Sequence, residues 1–264
     1  MRLIDIQENL MTIIQMIVFS VILFRSTNFL RAGTRSMVPV FFYFANISML
    51  INGAYWLVYD LQRPGIRMPF AANEFGEAAF FLLFASVLTS MFGDRLKREV
   101  KVILPCILFV IASACLWYAW SGEWVQDIIT GLAFCYFLSI SVMSVKATEA
   151  FSRIEWRVFA AATAALITGQ TLTLLVPDAL KRPVDLCCYL LMFAVLIYLT
   201  SKCFRVIRKE VSAEELTALS MVCYVWSVST MYMSTGMWYI FAEMFSTIAI
   251  VFIYIGIRKE VTGQ

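Results

Sequence analysis

Two glutamates three residues apart, Glu74 and Glu77, form the most chemically suggestive pair in this chain. Residues at i and i+3 share one face of a helix, so both carboxylates would point the same way. Such a pair can hold a cation or exchange protons, but two groups on one turn do not flank a scissile bond well. Four more polar side chains, Gln15, Asn52, Gln170 and Glu243, interrupt runs that are otherwise apolar. Tyr55, Trp56 and Tyr59 accompany Asn52, and Trp226, Tyr232, Trp238 and Tyr239 lie in the last hairpin, which carries Glu243. Carboxylates among ring faces are natural surroundings for a cation, although aromatic residues near helix ends also form interfacial belts.

The remaining inventory argues against catalysis. The chain has no histidine, which removes the usual general base and the commonest zinc ligand. The seven cysteines, Cys106, Cys115, Cys135, Cys187, Cys188, Cys203 and Cys223, form no CxxC pair and lie almost entirely in apolar runs. A thiol there acts as a small hydrophobe. Gly33, Gly53, Gly76 and Gly169 make no phosphate-loop or dinucleotide pattern. The expectation is no catalytic residue, no metal, no cofactor and a function outside the enzymes.

These side chains must be positioned by membrane helices. Hydrophobic residues make up 61% of the 264 and charged residues 15%, against ~45–50% and ~25% in soluble domains. One integral membrane domain over 1–264, without a soluble domain, is expected. A span needs about 20 apolar residues to cross ~30 Å of hydrocarbon, and it must be helical so that every backbone group is paired. Candidates fall at 9–26, 38–59, 72–92, 102–121, 126–145, 158–177, 185–203, 216–233 and 238–257. Asp5 and Glu8 precede the first run and no small-x-small site follows it, so it reads as a permanent span rather than a signal peptide. As a single helix, 216–257 would be ~63 Å long; Ser234–Thr235–Gly236 is where it would turn. The fold class is therefore an all-α polytopic transmembrane bundle of about nine spans, or eight if 216–257 holds a re-entrant segment.

Basic residues set the orientation, because Lys and Arg are retained on the cytoplasmic side. Sixteen of the 21 fall on alternate connections, in the groups 25–35, 95–101, 146–157, 202–209 and 258–259. Arg2, Arg63, Arg67, Lys181 and Arg182 lie on the other side. The amino terminus is expected outside and the carboxyl terminus inside, in the cytoplasmic membrane. The strings Lys97–Arg98–Glu99–Val100, Arg208–Lys209–Glu210–Val211 and Arg258–Lys259–Glu260–Val261 read as anchored helix ends rather than a repeat. Anionic lipid and this topology rule account for the basic excess, without nucleic acid.

At 1.5 Å per residue, Gln15, Asn52, Glu77, Gln170 and Glu243 all lie roughly 8–11 Å below the outer ends of their spans. One reading is an interhelical hydrogen bond for each. The other is a shared cavity open to the outside, with Gln15, Asn52, Glu74, Glu77, Gln170 and Glu243 as ligand-binding residues. Arg63 and Arg67, on the connection from Asp60 to Pro69, could pair with Glu74 or Glu77. The functional expectation is a binding or sensing subunit that takes a small cationic ligand from outside. It would signal through a cytoplasmic partner or a second copy of itself. A small-molecule or ion transporter, or a channel subunit, is the alternative. Polar sites of ion-coupled carriers usually sit nearer the midplane.

Overall fold

The computed structural model describes residues 3–31, 36–62, 72–96, 99–121, 124–209 and 212–263, with backbone alone at 3–5, 31, 72–73, 117, 120–121 and 124–127. The described residues form α1 (Leu3–Arg31), α2 (Val38–Gln62), α3 (Ala72–Phe92), α4 (Val100–Ser121), α5 (Trp124–Ala147), α6 (Arg153–Leu175), α7 (Asp178–Arg208), α8 (Ala213–Tyr232) and α9 (Met237–Thr262), with a 3₁₀ turn at Gly93–Arg95 and no strand. All nine expected segments lie in these helices, apart from a residue or two at two of their ends. Seven helices are long and apolar enough to cross a membrane: α1, α2, α3, α5, α6, α7 and α9. Over its described side chains α4 counts as a shorter apolar helix, Val100–Leu116. Helix α8 is diluted by Glu214, Glu215 and its serines and threonines. The chain is thus a multi-pass membrane protein by the length and composition of its helices.

Local chemistry explains several boundaries. Ser152 accepts from the Glu155 amide while Glu155 reaches back to the Ser152 amide, a reciprocal cap for α6. Ser212 caps α8 through the Glu215 amide. The last two helices form the expected hairpin, turning at 233–236, where Gly236 takes φ +61°, a conformation easy only for glycine. The α7 helix starts earlier than its apolar run and continues through Pro183. Its 31 residues reach ~47 Å, so both ends project past a hydrocarbon core.

Consecutive helices alternate in direction, as their paired residues show. Asn9 meets Asp60 and Gly53 lies against Met16, Phe42 stacks on Phe84, and Lys146 pairs with Glu99. On α6 and α7, Lys202 pairs with Glu155 while Gly169 faces Cys188. Ring pairs run in parallel register between α3 and α5 (Phe81–Phe134, Phe84–Phe137) and between α7 and α9 (Phe193–Phe241, Phe204–Phe252). The connections rich in Lys and Arg therefore gather at one end, called here the basic end; the opposite end is acidic.

At the centre stands α8, buried at every position from Leu216 to Thr230 and packed by α9, α7, α5 and α3. Its hydroxyls do not face one another. Ser220, Ser227, Ser229 and Thr230 each donate to the carbonyl four residues back, which removes their polarity from the interior. Around it sits an aromatic core in which the Tyr224 ring lies 5.3 Å from Phe80 and 6.0 Å from Phe84.

Candidate functional site

The acidic end of α1 and α9 carries the first part of the site. These two helices run parallel, and their polar residues meet in register. Gln15 Nε2 donates to Ser246 Oγ and Thr247 Oγ1, each at 3.2 Å. Both hydroxyls in turn donate to the Glu243 carbonyl, so their oxygens are free to accept from the amide. Thr12 Oγ1 lies 3.4 Å from Glu243 Oε1 and 3.1 Å from the Glu8 carbonyl. Glu243 is 3% exposed, and its second oxygen, Oε2, has no hydrogen-bond partner among the described residues.

Helices α3 and α8 carry the second part. The Tyr232 hydroxyl donates to Glu77 Oε1, and the Tyr232 ring touches Phe134 of α5. One turn toward the acidic end from the Phe81–Phe134 pair stand Glu77 and Thr130. The buried Thr130 hydroxyl has no partner, nor has that of Ser234 in the α8–α9 turn. Tyr239 stands on the first turn of α9, four residues before Glu243. Among the described residues, Glu77 and Glu243 form no ion pair with Lys or Arg.

The six residues expected to bind a ligand do not all converge. Glu243 and Gln15 are neighbours across α1 and α9. Glu77 is held instead by Tyr232 of α8, and Glu74, three residues earlier on α3, is buried. Half-buried Asn52 lies against Gly76, where an added Cβ would sit 3.5 Å from its own; its Nδ2 is 3.8 Å from Met49 Sδ. Gln170 stands apart. It is on α6, which packs chiefly on α7 and α4, and its buried Nε2 has no partner. Gln15 is an interhelical hydrogen-bond donor, the first of the two readings its depth allowed.

Other residues were not legible beforehand. Thr12, Thr130, Ser234 and the Asn9–Asp60 bond at 2.6 Å carried no signal stronger than an ordinary polar residue in a span. The spacing of Thr12 with Gln15, and of Glu243 with Ser246 and Thr247, does mark one face on each helix. Trp226 is corrected: it is buried in mid-α8, and its indole donates to the Met192 carbonyl at 3.1 Å, far from any belt. Arg63 and Arg67 lie outside the described residues.

Chemically, the arrangement offers negative charge, hydroxyls and phenol rings in a buried setting. No group of three or more His, Cys, Asp or Glu among the described residues could hold a metal ion. No protein-family model, curated protein or solved structure matches this chain.

Proposed function

We propose that this chain is the ligand-binding or sensing subunit of a cytoplasmic-membrane signalling system. It would cross the bilayer nine times, amino terminus outside and carboxyl terminus inside, with the acidic end facing outward. The ligand is a small organic cation received between Glu243, Tyr239 and Glu77. The observation that carries this reading is the buried Glu243 Oε2, which has no hydrogen-bond partner among the described residues. A carboxylate in a span costs at least ~2.5 kcal/mol, and an unpaired polar atom adds its desolvation penalty. A bound cation offsets both.

The route from ligand to cytoplasm follows α3 and α8. Tyr232 holds Glu77 at the acidic end, Phe80 and Phe84 pack on Tyr224 in the middle, and Arg95 grips Glu214 with both guanidinium nitrogens at the basic end. A cation that competes for Glu77 favours a different α3–α8 packing, because a ligand shifts an equilibrium by its differential affinity for the two states. A cytoplasmic partner or a second copy reads the change on the basic face.

The test is thermal unfolding of the purified protein with a panel of small amines and quaternary ammonium ions. A ligand at about a hundred times its Kd raises Tm by roughly 5–10 °C. The rise is expected in wild type and absent in Glu243→Gln and Glu77→Gln. Proteoliposomes should accumulate none of the stabilising cation; robust flux would replace the sensor by a transporter.

A further inference from the structure

A groove of about 790 Å³ runs between α4 and α5, from Ile103 and Met143 near the basic end to Tyr118 and Ile128. Its lining is mostly aliphatic, interrupted by Tyr118, Tyr136, Ser139 and two cysteines, and the small residues Ala114 and Gly131 lie between them. Fifteen residues of helix separate Ile103 from Tyr118, a length of ~22 Å. The groove is open along its length, with Ile107, Ile111, Ile128 and Leu132 exposed, and an apolar channel of this length suits an extended hydrocarbon chain.

Charge marks one end of it. About one turn beyond Ile103 and Met143, Lys146 pairs with Glu99, and the Lys146 side chain remains 48% exposed. Lys101 is exposed on the first turn of α4, and Arg153 and Arg157 are exposed on the first turns of α6, which packs on α4. Each basic side chain at a membrane surface attracts anionic lipid by about 1 kcal/mol, so the mouth suits a phosphate whose tail lies in the groove.

We propose that the α4–α5 groove is a binding site for an anionic phospholipid of the bilayer, with an acyl chain against Gly131 and Ala114 and the phosphate at Lys101 and Lys146. This site is separate from the acidic cluster and does not depend on the sensing role. The chain part selects for hydrocarbon; the two lysines select for charge.

Native mass spectrometry of the full-length protein tests this, with equimolar phosphatidylglycerol and phosphatidylcholine of identical chains. Wild type should retain one phosphatidylglycerol with about fivefold or greater preference. The double variant Lys101→Gln/Lys146→Gln should keep a lipid but lose the preference. Gly131→Leu and Ala114→Leu fill the groove from opposite helices and should each lose the retained lipid; having both guards against a folding failure in one, as monitored by helical circular dichroism. At Gly131 a Cβ would meet only Val110, at 3.7 Å, so the backbone tolerates a side chain there. Equal retention of the two lipids by wild type, retention undiminished in folded groove-filled variants, or a dimer that those variants dissociate would overturn the proposal.

Discussion

Glu243 and Gln15 show how two polar residues at the same depth can have opposite energetic roles. Gln15 is satisfied by Ser246 and Thr247, and interhelical bonds of this kind average about 0.6 kcal/mol and reach ~1.7. Gln15→Leu should therefore destabilise the protein by about 1 kcal/mol in reversible unfolding from detergent micelles. Glu243 buries a carboxyl group with one oxygen unmatched among the described residues, so Glu243→Gln should raise the unfolding temperature of the ligand-free protein while abolishing its response to cations. A fall in that temperature would show that the carboxylate is structural, and the cation reading would lose its support. The sequence marked both residues, because polar side chains in apolar runs are conspicuous. It could not tell them apart, because the partners of Gln15 lie 231 and 232 positions away.

Between helices, two glycines set the closest approaches. A Cβ on Gly256 would collide with Thr217 Oγ1 and sit 3.2 Å from the Thr217 amide and 3.3 Å from the Ala213 carbonyl. A Cβ on Gly169 would meet Cys188 Sγ and nothing else within 4 Å. Both Gly→Ala variants should lose about 1–3 kcal/mol, the usual cost of overpacking. Rescue should separate them. Adding Cys188→Ala to Gly169→Ala should restore most of the loss, whereas Thr217→Ala should only partly rescue Gly256→Ala, since backbone still opposes that Cβ. Equal rescue in the two double-mutant cycles would mean that helix separation is set elsewhere. The helices themselves were readable from hydrophobic length, and the hairpin from Ser234–Thr235–Gly236. The glycine contacts were not readable, since a glycine in a span looks the same whether it faces lipid or a neighbour.

For the whole molecule, alternation of helices gathers the basic connections at one end, and the proposed orientation puts that end in the cytoplasm, where Lys and Arg are retained. In a cysteine-free background, an impermeant maleimide should label Arg63→Cys from outside intact cells and leave Arg208→Cys unreacted until the membrane is opened. Labelling of both from one side would dissolve the alternation. The amino-acid sequence by itself determined the all-helical membrane character, the position of the helices and the charge asymmetry, because each follows from local composition along some twenty residues. Only the tertiary structure decided that hydroxyl-bearing α8 is the central helix, that α1 lies beside α9, that Glu77 meets Tyr232 and that Gln170 stands apart. The physical reason is that lipid is as apolar as a leucine face. Hydrophobicity brings helices into the bilayer but does not order them within it; close glycine contacts, ring packing and hydrogen bonds between distant residues do.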